Sequence, residues 1–148
     1  MKKIHPLAQL LLRLSLGIGF ILPVLDRIGY LGAPGAANVA WGDWTHFVRY
    51  THTLMPYFSE PVASFFGLIA TIGEVLCGSL LIVGYKTRLA AYGSFILTLL
   101  FAFSMLIFLS YRAPFNYSVF AVSFSSLMLA GQFDFPWSLD AYFRDPST

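Results

Sequence analysis

Residues 62–85 read VASFFGLIATIGEVLCGSLLIVGY, and their 24 positions carry one charge, Glu74, near the centre. An α-helix rises 1.5 Å per residue, so about 20 apolar residues cross ~30 Å of hydrocarbon. The stretch is a membrane span. Gly67, Ala70, Thr71, Glu74, Cys77 and Gly78 recur at helical spacing, while Phe65, Phe66, Leu68, Ile69, Ile72 and Leu76 cover the remaining surface. One face is therefore built for close packing and the other for lipid. An ionised carboxylate at mid-bilayer costs at least a few kcal/mol unless it is partnered. Glu74 must face the bundle interior, be protonated, or both.

Working outward, three more charge-poor runs appear at 7–25, 89–111 and 117–133. The whole 148-residue chain is 57% apolar, 18% aromatic and only 11% charged, against about a quarter charged in a soluble domain. The fold class expected is an all-α membrane protein: one four-transmembrane-helix domain over 1–148. An external loop, 26–61, separates the first two spans. Lys2 and Lys3 ahead of an apolar run imitate a signal peptide, but Arg13 inside the run and the lack of a small-x-small site after it predict a retained span. A net charge of +2 is too small and dispersed for a nucleic-acid surface. The lone Cys77 excludes an intrachain disulfide, a CxxC pair and a cysteine metal site.

Lys and Arg resist translocation, so their distribution sets orientation. Lys2, Lys3, Arg13, Lys86, Arg88 and Arg144 fall on one side, and Arg27, Arg49 and Arg112 on the other. Both termini are expected in the cytoplasm, with the protein multi-pass in the bacterial inner membrane. Gly84 at a helix end and Thr87 ahead of the next helix predict a tight hairpin. The tail from Asp134, with Pro136, Trp137 and Pro146, reads as an interfacial anchor followed by a solvated end.

A connection as long as 26–61 should carry structure of its own. Gly29 to Gly35 is turn-forming, and Asp43 can cap a helix. Trp44, Phe47, Val48, Thr51 and Met55 then share one face, with His46, Arg49 and Thr53 opposite. That is a short amphipathic helix suited to the outer interface, either an aromatic anchor or a lid over the bundle mouth. His46 and His52 are six apart, the wrong spacing for a metal pair on one helical face, so no metal site is expected. No span contains a histidine to ligate a haem.

Arg13 lies roughly 9 Å from the cytoplasmic end of its span and Glu74 roughly 16 Å deep. The gap is within reach of the two side chains, yet each leans toward its own N-terminus, in opposite directions. Pairing with Glu74 and snorkelling of Arg13 to the headgroups both stay open. Span one adds Gln9 and Gly17 to the polar seam, span three Ser94 and Thr98, and span four Ser118, Ala121, Ser125 and Gln132.

An arginine in the early apolar run, a Gly-rich exit after Leu25-Asp26-Arg27, then Trp41-Gly42-Asp43-Trp44, and the run from Glu74 through Gly78, Gly84 and Thr87-Arg88-Leu89-Ala90-Ala91 together resemble the DoxX family of small bacterial membrane proteins. The resemblance covers nearly the whole chain. Arg13, Glu74 and Arg88 match its charged positions, and Asp26 and Arg27 match the exit motif of one subfamily. Relatives include the DoxD-type subunit of thiosulfate:quinone oxidoreductase, although many DoxX-like chains carry lysine where Asp26-Arg27 stands here.

The resemblance implies a redox-associated membrane subunit that binds quinone or a small anionic substrate. Glu74 is the catalytic candidate, as a proton relay; Arg13, Asp26, Arg27, Trp41, His46 and Arg49 are the substrate-binding candidates. Quinone is the cofactor candidate. Quinone reduction takes two electrons and two protons, and nothing in the sequence supplies an electron carrier, so a reductant or partner must. The alternative is a non-catalytic accessory or assembly protein docking a partner through its external loop; a small-solute permease fits less well, lacking discontinuous spans and an internal repeat. Candidate partners are the bilayer, a protein subunit and a second copy of the chain, not nucleic acid.

Overall fold

The computed structural model describes residues 5–144, so Lys2, Lys3 and Pro146 lie outside the described residues. The chain runs as α1 (Pro6–Arg27), α2 (Trp44–Thr53), α3 (Glu60–Val83), α4 (Thr87–Ser104), α5 (Ala113–Asn116), α6 (Val119–Ala130) and α7 (Leu139–Tyr142). No strand occurs among the described residues. Past Ser104 the helical path continues through a wider turn, Met105–Leu109, closed by the Ser110 N–H donating five residues back to Met105 O at 3.0 Å. Among the described residues three helices are long and apolar enough to cross a membrane: Pro6–Arg27, Glu60–Val83 and Thr87–Leu109.

The fourth apolar helix is shorter than its sequence predicts. It was expected over 117–133 but spans 12 residues, roughly 18 Å. Ser118 adopts a left-handed conformation (φ 55°) immediately before it, which breaks the path from α5. Helix α1, in contrast, extends past the expected end at Leu25 and takes Asp26 and Arg27 into its last turn. The connection therefore begins after Arg27, and those two side chains belong to the helical scaffold.

In cross-section α1 packs on α3, α3 on α4, α4 on α6, and α6 returns to α1, with α2 laid against α3. The α1–α6 seam is the thinnest of these. Helices α1 and α3 cross glycine on glycine: a Cβ on Gly17 would stand 2.9 Å from Gly78 O and 2.6 Å from Ile82 Cγ1. Only hydrogen at these positions allows so close an approach, which is how small residues hold membrane helices together. On the far side, Ser123 Oγ donates to Thr98 Oγ1 at 2.9 Å, both buried. Most of the predicted small and polar face of α3 is inside: Gly67, Thr71, Glu74 and Gly78 are buried, while Ala70 and Cys77 are half-buried. The stripe expected on α6 is displaced, since Ser123, Ser126, Leu129 and Ala130 form its buried face instead.

The hairpin between α3 and α4 turns on Gly84 (φ 71°), a left-handed cap that suits glycine. Thr87 does not cap α4; it is the first helical residue. The Asp140 carboxylate does the work instead, accepting from Lys86 N at 2.7 Å and Thr87 N at 2.8 Å. The tail is thus more than an anchor with a solvated end: it folds back across this end of the helices. Gln9 Nε2 donates to Asp134 O at 2.8 Å, Arg13 Nη2 to Trp137 O at 2.7 Å, and Phe135 joins the buried cluster with Leu16, Phe20 and Leu81.

Candidate functional site

Asp43 caps α2 as its position predicts, accepting from His46 N at 2.8 Å. The His46 backbone amide, and then its ring, hold the Asp43 carboxyl below the ordinary carboxylate value. The cap fixes the face α2 turns inward. Phe47, Val48 and Thr51 are buried, and Phe47 and Thr51 lie over Gly67 of α3. His46 and Arg49 lie on the exposed face.

Phe47 also meets the last turn of α1. The Arg27 guanidinium carbon is 3.9 Å from the Phe47 ring centre and 5.2 Å from that of Trp41. Such cation–π contacts are worth about 2 kcal/mol when desolvated. From this aromatic slot Arg27 Nη1 reaches into the helices, donating to Thr71 Oγ1 at 2.7 Å and Glu74 Oε2 at 2.6 Å. Thr71 is held in turn by donating to Gly67 O at 2.7 Å. Glu74 thus faces inward, and its partner is Arg27. The pairing left open with Arg13 does not form, because Arg13 is spent on the tail at the opposite end.

Asp26, adjacent to Arg27, turns the other way. Its carboxylate accepts from Ala40 N at 2.8 Å, Gly42 N at 2.9 Å and Trp41 N at 3.4 Å. One side chain therefore folds the loop back over the helix that carries it. Gly42 (φ 72°) is required there, since a Cβ would fall 2.4 Å from Pro34 N.

Between α1, α2, α4 and α6 these groups border a cleft of about 1070 Å³. Asp26, Arg27, Trp41 and Glu74 line it, as do Phe47, Tyr50 and Tyr117. Of the residues singled out from sequence, the fold brings these first four together and leaves Arg13, His46 and Arg49 off the cleft wall. Arg27 is 2% exposed, and its Nε is buried with no hydrogen-bond partner. Burial pushes the Tyr50 hydroxyl above its ordinary value, with Tyr117 adding to the effect, so Tyr50 stays a neutral donor. Ala121 and Ser125, expected in a packed seam, instead line this cleft.

Sequence reasoning missed Gly19, Pro23, Phe47, Tyr50 and Tyr117 as wall residues. Pro23 offered a signal: proline inside a helix removes the N–H that would bond the carbonyl four residues back, here Gly19. Tyr50 and Tyr117 had none, because nothing local in either segment says that α2 and α6 share a wall.

No curated protein and no solved structure matches the chain. The DoxX family model matches residues 8–107, which take in most of α1, all of α2, α3 and α4, and most of the turn that follows. With the apolar helices and the matched length, the chain belongs to the DoxX family of membrane proteins.

Proposed function

We propose that this protein is a redox-associated membrane subunit that binds the carbonyl head of a quinone in the cleft, against Arg27. The observation that carries the reading is Arg27, which lines the cleft and whose Nε is buried without a hydrogen-bond partner. A buried donor without an acceptor costs ~1–3 kcal/mol, and a carbonyl oxygen relieves that cost. Trp41 and Tyr50, both half-buried, offer ring faces for a planar head, with Tyr50 a second neutral donor.

The charge balance favours a neutral head over an anion. Glu74 already neutralises Arg27, Asp26 adds a further acid beside it, and Arg49 stands on the outer face of α2. Asp26 has its oxygens occupied by three backbone amides. Glu74, ionised against Arg27, is then the carboxylate placed to take up a proton and pass it on at the cleft. A bound quinone would supply the two-electron chemistry, the electrons coming from a reductant or partner subunit.

The membrane arrangement belongs to the same proposal. Helix α6, roughly 18 Å, together with α5 ahead of the break at Ser118, makes the fourth crossing of a four-helix bundle. The α2 helix lies at the outer interface as a lid, both termini are cytoplasmic, and the membrane is the bacterial inner membrane.

Replacing Trp44 and Trp137 by Phe leaves Trp41 as the sole tryptophan reporter. Titration with menadione should give saturable quenching, lost in Arg27→Gln. Quenching that grows linearly without saturating removes the quinone reading. One observation supports the non-catalytic accessory reading: Tyr30 and Tyr57, 77% and 87% exposed, stand out from the connection that Asp26 and Arg27 tie down. Absence of saturable quenching would leave that reading in place.

A further inference from the structure

The cleft continues well beyond a head group. Along α1 its wall runs from Arg27 to Ser15 and Leu12, about 22 Å at 1.5 Å per residue. Its lower part lies between α1 and α6, a thinner seam than those of α1 with α3, α3 with α4 or α4 with α6. Ser15 and Gly19 on one side and Ala121 and Ser125 on the other form small walls. Ser15, Gly19 and Ala121 are exposed, so the groove is open along its flank.

Gly19 is the informative position. Glycine within a helix is less favourable than alanine. Gly17 has a packing reason for being glycine, but a Cβ on Gly19 would meet nothing within 4 Å. No neighbour in the chain uses the room it leaves.

We infer that the groove between α1 and α6 holds the hydrocarbon tail of the ligand whose head meets Arg27, and that this ligand enters sideways from the bilayer between those helices. The inference rests on the quinone reading and narrows its substrate to a long-tailed, membrane-resident quinone. Continuity identifies the occupant: the same cavity is lined by the buried Arg27, whose Nε has no hydrogen-bond partner, at one end and by the open groove at the other.

The test uses the Trp41-reporter protein in lipid nanodiscs. It is titrated with menadione, which has no tail, and with a naphthoquinone bearing a four-isoprene tail. Gly19→Phe and Ala121→Phe fill the groove; Ile69→Phe, on the exposed face of α3, is the control. Each groove variant should weaken the tailed ligand by about tenfold relative to the parent, ~1.4 kcal/mol, and leave menadione within about twofold. Comparing one ligand across variants cancels its partition into lipid. Equal weakening of both ligands, or no change in either, overturns the tail groove while the quinone reading stands. Failure of menadione to saturate in the parent overturns the quinone reading and the groove with it. A second measurement needs no variant: a quinone with a photoreactive tail end should label the parent on peptides containing residues 12–19 and 121–125. Labelling spread evenly over the outer faces of α3 and α4 means bulk lipid contact and overturns the inference.

Discussion

Glu74 Oε2 accepts a hydrogen bond from Arg27 Nη1 at 2.6 Å, joining the middle of α3 to the last turn of α1 with both side chains almost wholly buried. The pair fixes the depth of α1 against α3 and places a guanidinium on the cleft wall.

Removing one partner strands the other. Arg27→Ala should cost about 3–5 kcal/mol, because it leaves an uncompensated buried carboxylate. The double variant Arg27→Met/Glu74→Leu should recover most of that loss. Equilibrium unfolding in detergent measures both; a double variant as unstable as the single one would show that stability comes from the Phe47 and Trp41 contacts instead.

Asp26→Asn keeps shape but replaces a two-oxygen acceptor by one. The three amides at Ala40, Trp41 and Gly42 can then no longer all be satisfied, at a cost of roughly 1–3 kcal/mol. The expected result is faster proteolysis within 29–42 with α3 and α4 unaffected, read by mass spectrometry of the fragments.

The Asp43 cap carries a pH dependence. Its carboxyl titrates below the ordinary value, ~3.9, so the ionised cap contributes its full stabilisation above that value. The contribution is lost as pH falls through the lowered folded value. Amide exchange in the first turn of α2 should accelerate on acidification below about pH 4 and become pH-independent, after correction for intrinsic exchange, in Asp43→Asn. Unchanged protection in the parent would show that burial of Phe47 and Val48 holds the turn without the cap.

Asp140→Ala should expose the amides of Lys86 and Thr87 to exchange and cost about 0.5–2 kcal/mol, the usual range for a lost helix cap. Hydrogen exchange resolved to those two residues distinguishes this from general loosening of the tail.

Gly17→Ala and Gly19→Ala should move stability in opposite directions. The first forces a methyl against the Gly78 carbonyl and Ile82 and should cost ~1–3 kcal/mol. The second meets open space and should gain up to about 1 kcal/mol. Thermal unfolding of the two variants in parallel decides it.

Membrane character, the helices of three spans and the inward turn of Glu74 were legible in the order of residues. Each follows from local hydropathy, from periodicity, or from the cost of a bare charge in lipid. The cap at Asp43 and the inward face of α2 were legible for the same local reason. The length of α6 was not, because hydropathy does not register the left-handed Ser118 that ends the path from α5. Nor was the capping of α4 by Asp140, whose carboxylate arrives from 53 residues away.

Partner choice belongs to the tertiary structure alone. The order of residues shows that Glu74 must turn inward, be protonated, or both, and the candidate partner it offers is Arg13 rather than Arg27. Only the packed helices, with α1 running on through Arg27 and the tail engaging Arg13, settle which one reaches it. Sequence determines what each segment must bury or expose, since that is a property of its own side chains. Which buried groups meet, and where they leave a space between them, depends on helix length and crossing, and these are fixed only when all the segments pack.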